Sequence, residues 1–151
     1  MKTFDHDYVQ EVSIRLDKIA PDAKPRWGSM TPPVMMNHLG KTVRYSMGKA
    51  PHLPVVGKWH VRNIIGPLMI NGLIKLPKNA KMPRAARTAM EQTPVTGDAE
   101  TLQAVMEEYL HAIATGDIDP PPHPVFGSIG VDGWAKFHIR HFEHHLTQFG
   151  V

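Results

Sequence analysis

The stretch WAKFHIRHFEHHLTQFG, from Trp134 to Gly150, determines the fold that this sequence predicts. At about 100° per residue, its aromatic side chains and three of its four histidines fall on one side of a helix. Most of its charged side chains fall on the other side, as in a helix that packs against a core. His138, His141 and His145 therefore take positions where a core helix normally has Leu or Ile. The fourth histidine, His144, is predicted to lie on the flank, near the solvent.

Length and composition predict a single cytoplasmic domain covering residues 1–151. The chain has 151 residues, 42% of them hydrophobic and 21% charged, as in an ordinary globular domain. Its net charge of +3 is too small to indicate nucleic-acid binding, and its longest apolar run, residues 64–76, is too short to span a bilayer. Because the chain has no cysteine, a metal would have to bind His, Asp or Glu. We expect a small-molecule substrate, no nucleic-acid or membrane partner, and a chain able to form a homodimer.

Apolar periodicity predicts an all-α protein, because no alternating pattern indicates a strand. Helices are predicted over residues 5–19, 32–47, 59–76, 99–114 and 134–150. The second should be capped by the Thr31 hydroxyl, with Pro32 at its first position. The third should kink or restart at Gly66-Pro67. Inward positions are predicted for Val34, Met35, His38, Thr42 and Tyr45 in the second helix, and for Ile64, Ile65, Leu68, Met69 and Leu73 in the third.

The segment 77–97 is predicted to be a long irregular loop, because Pro77, Pro83 and Pro94 interrupt it. Its neighbourhood is basic, with Lys75, Lys78, Lys81, Arg84 and Arg87. A loop of this length is usually functional or mobile. We favour a solvated connection; the alternative is a lid that brings positive charge to a site for an anionic substrate.

His141 and His145 are the first candidates for metal ligands. They are four residues apart, so their side chains leave one helix face about 6 Å apart along the axis. His38, in the middle of the second helix, is the best candidate for a third ligand. Three neutral imidazoles would leave open positions on Zn²⁺ or Ni²⁺, as in a catalytic rather than a structural site. The competing interpretation is that these histidines are hydrogen-bonded core residues, since an HxxxH pair alone is weak evidence.

Three further residues are candidates for a supporting or substrate-binding role. His138 would be a spare ligand or a partner of a ligand. Tyr45 and Gln148 could donate hydrogen bonds to a substrate, although we favour ordinary positions at the edge of the core. No catalytic residue beyond the metal ligands is predicted.

Two segments resemble a known superfamily. WGSMTPPVMMNHLG, residues 27–40, resembles the W-x-x-M-T-x-x-x-M-x-x-H-L segment of the DinB-like (YfiT-like) metalloenzymes. HPVFGSIGVDGWAKFHIRHFEHHLTQFG, residues 123–150, resembles the C-terminal signature of one branch of that superfamily, a domain-of-unknown-function family with H-x-x-H-H-L-x-Q-F-G. Relatives usually begin the last helix with Ser or Thr and acidic residues. Residues 130–133, Gly-Val-Asp-Gly, are a poorer start, so a weak first turn is expected.

The resemblance implies a four-helix bundle with up-down-down-up topology and a metal held by His38, His141 and His145. Characterised members of the superfamily include thiol-dependent transferases that use mycothiol, bacillithiol or glutathione, among them a maleylpyruvate isomerase. Our first hypothesis is therefore a metal-dependent transferase that uses a low-molecular-weight thiol. The alternatives are a metal-dependent hydrolase and a non-catalytic bundle that binds a small ligand or a protein partner.

Overall fold

Residues 2–93 and 95–151 are described by a computed structural model and contain helices but no β-strand. The elements are α1 (His6–Leu16), α2 (Pro32–Ser46), a π-helical turn (Val61–Ile65), α3 (Gly66–Ile70), α4 (Arg84–Gln92), α5 (Ala99–Thr115) and α6 (Gly130–Phe149). The all-α prediction is confirmed for this part of the chain. No helix in it is both long enough and apolar enough to cross a bilayer.

The main core lies among the four longest helices, α1, α2, α5 and α6. Its buried side chains form one continuous cluster that includes Val12, Leu39, Met106 and Phe142. A smaller aromatic cluster, centred on Trp134 and including Phe126 and Ile70, joins α3 and the loop before α6 to the main body. The first half of α6 thus belongs to the aromatic cluster, whereas its second half enters the main core.

The helix ends follow the sequence in most places. Asp5 caps α1 by accepting a hydrogen bond from the Tyr8 backbone N–H, and Asp98 caps α5 in the same way. The expectation of a Thr31 hydroxyl cap was wrong, because that side chain makes no capping hydrogen bond. Gly150 ends α6 with φ +84°, a left-handed conformation that favours glycine.

The first turn of α6 forms, against expectation, although Gly130 itself has a left-handed φ of +64°. The helix begins at Gly130, four residues before Trp134. Asp132 lies in that turn, where a negative charge stabilises the helix, and its carboxylate is 2.8 Å from the Lys136 ammonium. Gly133 is buried, and an added Cβ would approach Ile129 to 2.7 Å. The turn therefore packs closely enough to compensate for its two glycines.

Two predictions for the middle of the chain were wrong. The segment 77–97 contains α4, whose small residues Ala86 and Ala89 are buried. Pro83 immediately precedes this helix, so that proline marks its start instead of breaking it, and Pro94 lies outside the described residues. The predicted helix 59–76 ends at Ile70, although Pro67 does stand in the first turn of α3, as the restart requires.

The predicted inward faces also need correction. Ile64 and Leu68 are exposed, because the π-helical turn changes the helical register and α3 meets the aromatic cluster through Gly66 and Ile70. Leu73 is exposed as well and lies beyond the end of α3. In α2, Val34 is exposed. The buried side of α2 is centred instead on Met35, Leu39 and Val43, which enter the main core.

Candidate metal centre

His38 from α2 and His141 and His145 from α6 converge on one point. The Nε2 atom of His141 is 2.9 Å from Nε2 of His38 and 3.2 Å from Nε2 of His145. One ligand nitrogen from each ring can be chosen so that all three lie within 4.8 Å of one another. His141 and His145 are buried and His38 is partly covered. The group could hold a metal ion, as the spacing of the histidines predicted.

The alignment of α2 and α6 produces this convergence. His38 meets His141, while Ser46, eight residues later on α2, meets His138, which lies earlier on α6. The two helices therefore run antiparallel along this contact. His141 and His145 are one turn apart on α6, so both can face the single histidine on α2.

Gln148 orients the ring of His145. Its side-chain amide donates to the carbonyl oxygen of Trp27 at 2.8 Å, which leaves its Oε1 directed at Nδ1 of His145, also at 2.8 Å. Because a carbonyl oxygen only accepts, Nδ1 must carry the proton. Nε2 of His145 is then a free lone pair pointing at the other two rings, the tautomer that binds a metal.

All three rings are neutral near pH 7. Burial, with a smaller contribution from His145, lowers the pKa of His38 to about 3. Burial lowers the pKa of His145 to about 4, against the smaller opposing effect of the Gln148 hydrogen bond. Burial and the two neighbouring imidazoles hold the pKa of His141 well below its ordinary value. Neutral imidazoles keep their lone pairs available for a cation.

Two of the three separations between the nitrogen atoms are close to those in a tetrahedral metal site. Bonds of about 2.0–2.1 Å in tetrahedral geometry place two ligand nitrogens about 3.3 Å apart. The separations of 2.9 and 3.2 Å are close to this value. Hydrogen bonds among the three rings are a less complete arrangement than a bound ion. A proton on Nε2 of His141 can be donated to one neighbouring ring but not to both. The group contains no carboxylate, so a divalent ion there would keep its full charge.

His138 lies in a different environment from the three converging rings. It is fully buried, and its Nε2 is 2.8 Å from the Ser46 hydroxyl oxygen. Because that hydroxyl donates to the Val43 carbonyl at 2.7 Å, its oxygen accepts a hydrogen bond from the Nε2–H of His138. Phe4, Tyr109 and other aromatic rings surround the imidazole. His138 is thus a hydrogen-bonded core residue in this structure, apart from the position proposed for a metal.

Tyr45 and His144 also take positions of their own. The Tyr45 hydroxyl donates to the carbonyl of Pro122 at 3.0 Å, and its ring contacts Trp134 in the aromatic cluster. These contacts place Tyr45 in the aromatic cluster, as expected for a residue at the edge of the core. His144, expected near the solvent, is half-buried, with its ring 5.4 Å from that of Trp27. Of the three supporting candidates, Gln148 is the one that contacts the converging histidines.

Two residues that no sequence prediction singled out help to build this region. The carbonyl of Trp27 anchors Gln148, as described above. Nδ1 of His123 accepts backbone N–H bonds from Val125 and Phe126, each at 3.1 Å, and its ring stacks on Phe126. His123 thereby shapes the loop that leads into α6. The HPVFG motif at residues 123–127 was a usable signal for a turn, whereas a backbone carbonyl leaves no signal in the sequence.

Comparison with known proteins gives a family. A family model described as "Protein of unknown function (DUF1569)" matches residues 26–150, which include all three converging histidines. The chain therefore belongs to this family. Comparisons with curated proteins and with solved structures gave no significant match. The prediction of a family of unknown function is confirmed, and the activity has to be argued from the site.

Proposed function

We propose that this member of the DUF1569 family is a metal-dependent enzyme, most closely a transferase that uses a low-molecular-weight thiol. The convergence of three neutral imidazoles, His38, His141 and His145, carries the proposal. Without an ion, three buried nitrogen atoms would face one another with too few protons to pair them. With an ion, each lone pair has a partner.

We further propose that the fold is a DinB-like four-helix bundle with up-down-down-up topology. The main core supports this, because its buried residues come from α1, α2, α5 and α6. The antiparallel contact between α2 and α6 supports it as well. In such a bundle the inward faces of two helices can supply ligands to one internal site, which is the arrangement of His38 with the pair on α6.

The chain contributes ligands of the kind that Zn²⁺ or Ni²⁺ prefers. A divalent ion held by three neutral ligands acts as a Lewis acid that lowers the pKa of a thiol or water bound to it. Gln148 and the Trp27 carbonyl hold His145 in the metal-binding tautomer. Burial excludes water from His141 and keeps the rings neutral. The open coordination positions are where a small-molecule substrate would bind.

Cationic side chains near the site support an anionic or carboxylated thiol. The Lys78 ammonium lies over the Trp27 ring, 4.4 Å from its centroid, and its charge helps to lower the pKa of His144 after the larger effect of burial. Lys41 makes a smaller contribution to the lowered pKa of His38. These contacts favour the lid interpretation for Lys78, whereas Arg84 and Arg87 belong to α4.

Elemental analysis of protein purified without a histidine tag tests the metal centre. We expect about one equivalent of Zn²⁺ or Ni²⁺ per chain, either as purified or after incubation with the ion. Less than about a tenth of an equivalent after both treatments would contradict a metal site and favour the non-catalytic bundle.

A second experiment separates the two enzyme classes. The metal-loaded protein is assayed with electrophilic test substrates in the presence and absence of glutathione, mycothiol or bacillithiol, and with test esters and amides without thiol. A transferase needs both metal and thiol. Turnover of esters or amides without thiol would identify the hydrolase instead. The His141→Leu protein is the matched control, because it lacks one ligand in an otherwise unchanged chain.

A further inference from the structure

Exposed apolar side chains are concentrated in one part of the molecule. Nine large hydrophobic residues are exposed in the described part of the chain, and seven of them lie between residues 55 and 74. Trp59 is 66% exposed and Leu73 is 74% exposed. The seven are Val55, Val56, Trp59, Ile64, Leu68, Leu73 and Ile74. A concentration of this kind is unusual on a free surface and marks a contact site.

The π-helical turn aligns three of these residues into a stripe. Residues 59–70 form one continuous helical segment, in which the Gly66 N–H bonds to the carbonyl of Val61, five residues earlier. Across such a widened turn, residues five positions apart lie on the same face. In an α-helix, residues four positions apart do so. Trp59, Ile64 and Leu68 follow these two spacings. The opposite side, with Gly66, packs against Phe126 in the aromatic cluster.

The segment of sequence that carries this stripe has charges of one sign. Residues 23–90 contain twelve of the seventeen Lys and Arg residues and none of the fourteen Asp and Glu residues. Lys58, Arg62 and Lys75 stand within or next to the exposed apolar segment, are exposed, and form no ion pair with any described residue. The twelve are Lys24, Arg26, Lys41, Arg44, Lys49, Lys58, Arg62, Lys75, Lys78, Lys81, Arg84 and Arg87.

We propose that the stripe of Trp59, Ile64 and Leu68, together with Leu73, docks on the surface of an anionic phospholipid bilayer. Tryptophan prefers the boundary between headgroups and acyl chains, and aliphatic side chains enter the upper acyl region. Lys58 and Lys75, which flank the apolar segment, would meet the negative headgroups. The chain lies on the membrane in this proposal and does not span it, so the proposal replaces the sequence-based expectation of no membrane partner. The inference is independent of the metal centre.

Charge and composition favour lipid over other occupants. A two-fold contact between copies through this face would bring the cations of the two chains together, and residues 23–90 offer no acid to pair with them. Nucleic acid would use the cations but gain little from exposed Leu and Ile side chains. An anionic bilayer uses both features at once.

Vesicle co-sedimentation tests the proposal with the full-length chain. We expect binding to phosphatidylcholine vesicles that contain about a third phosphatidylserine, little binding to pure phosphatidylcholine, and weaker binding as salt is raised. The double variant Trp59→Ala/Leu73→Ser should bind at least about tenfold more weakly, with unchanged circular dichroism. Ile14→Ser, which alters a 52% exposed apolar residue on α1, should bind like the wild type.

Three results would overturn the proposal. The first is no binding to the anionic vesicles. The second is equal binding by the double variant and the Ile14→Ser control. The third is a wild-type dimer in light scattering that the double variant converts to monomer, because the stripe would then bind a second copy. A blue shift of Trp fluorescence with anionic vesicles, absent in Trp59→Ala, would support the expected orientation.

Discussion

Two neighbouring turns of α6 use the same side chain for different purposes. His138 lies in an aromatic pocket and donates a hydrogen bond from its one N–H to Ser46. His141 and His145, one and two turns later, face His38. The imidazoles of these three α6 residues are all buried, and burial lowers the pKa of each. What distinguishes them is the residue of α2 that lies opposite.

The comparison shows how a core histidine becomes a candidate ligand. A hydroxyl opposite an imidazole can accept a hydrogen bond from the ring N–H, so no ion is needed between the two groups. When another imidazole lies opposite instead, the facing ring nitrogens carry fewer protons than are needed to form hydrogen bonds between all of them. Because α2 and α6 run antiparallel, the change from His38 to Ser46 along α2 separates the two environments. Four experiments can sharpen or break this distinction.

Lowering the pH should have the largest effect, through the core histidines. Burial lowers the pKa of both His123 and His138 from 6.5 to about 3. The unfolded chain therefore binds more protons between these values, so this stability is complete above pH 6.5 and is lost as the pH falls toward 3. At about 1.4 kcal/mol per pH unit for each residue, the two should cost about 5 kcal/mol between pH 6.5 and 4.5.

Urea unfolding at several pH values, with a chelator present, measures this loss. All the buried histidines contribute to the measured slope, so His138→Leu should lower the slope of the unfolding free energy against pH by about 1.4 kcal/mol per pH unit. An unchanged slope in His138→Leu would mean that His138 is not held neutral in the folded protein.

Removing one of the converging rings should have the next largest effect, on metal affinity. His141→Leu leaves two ligands, so affinity should fall by about 100-fold or more. His138→Leu should bind metal like the wild type. Isothermal titration with Zn²⁺ and circular dichroism measure the two properties. Equal losses of affinity in both variants would contradict the conclusion that His141 faces the metal position and His138 does not.

Gln148 should contribute less than a ligand does. Gln148→Leu removes the acceptor for Nδ1 of His145, and its affinity should fall by about 10–100-fold. Gln148→Glu keeps an acceptor for His145 but loses the donor to the Trp27 carbonyl, so it should recover only part of the affinity. Thr147→Leu, an exposed neighbour, is the control. Competition with a chelating dye gives the affinities. Wild-type affinity in Gln148→Leu would show that the tautomer needs no support.

Ser46 should give the smallest change, confined to stability. In Ser46→Ala the Nε2–H of His138 stays buried without an acceptor, which should cost about 1–2 kcal/mol of unfolding free energy. Metal affinity should not change. Chemical denaturation and metal titration of the same preparation test both statements. A loss of metal affinity without a loss of stability would place His138 in the metal centre.

The site was more predictable than the middle of the chain. The helical spacing of His141 and His145 and the mid-helix position of His38 were sufficient to select them, because periodicity determines which residues share a face. Gln148 was named as well, but as a substrate donor or, in preference, an ordinary residue at the edge of the core, since its bonds to Trp27 and His145 depend on how the chain returns to α6.

Residues 59–76 could not be predicted in the same way. A regular α-helical period placed Ile64 and Leu68 inward, but the π-helical turn shifts the register by one residue. α4 was missed because its prolines suggested a loop, while the signal for the helix was two small alanines, Ala86 and Ala89, that bury little area. A helix whose buried side chains are small, or one that contains an extra residue in a turn, cannot be recognised from a fixed α-helical period.

By itself, the sequence determined that α6 would bring three imidazoles to a buried face and that no cysteine could share a metal with them. Local spacing decides this, because an α-helix repeats every 3.6 residues whatever it packs against. The tertiary structure alone decided that Ser46 meets His138, that His38 meets the other two, and that Trp59 and Leu73 stay exposed. Those outcomes depend on the alignment of distant segments, which no local period contains.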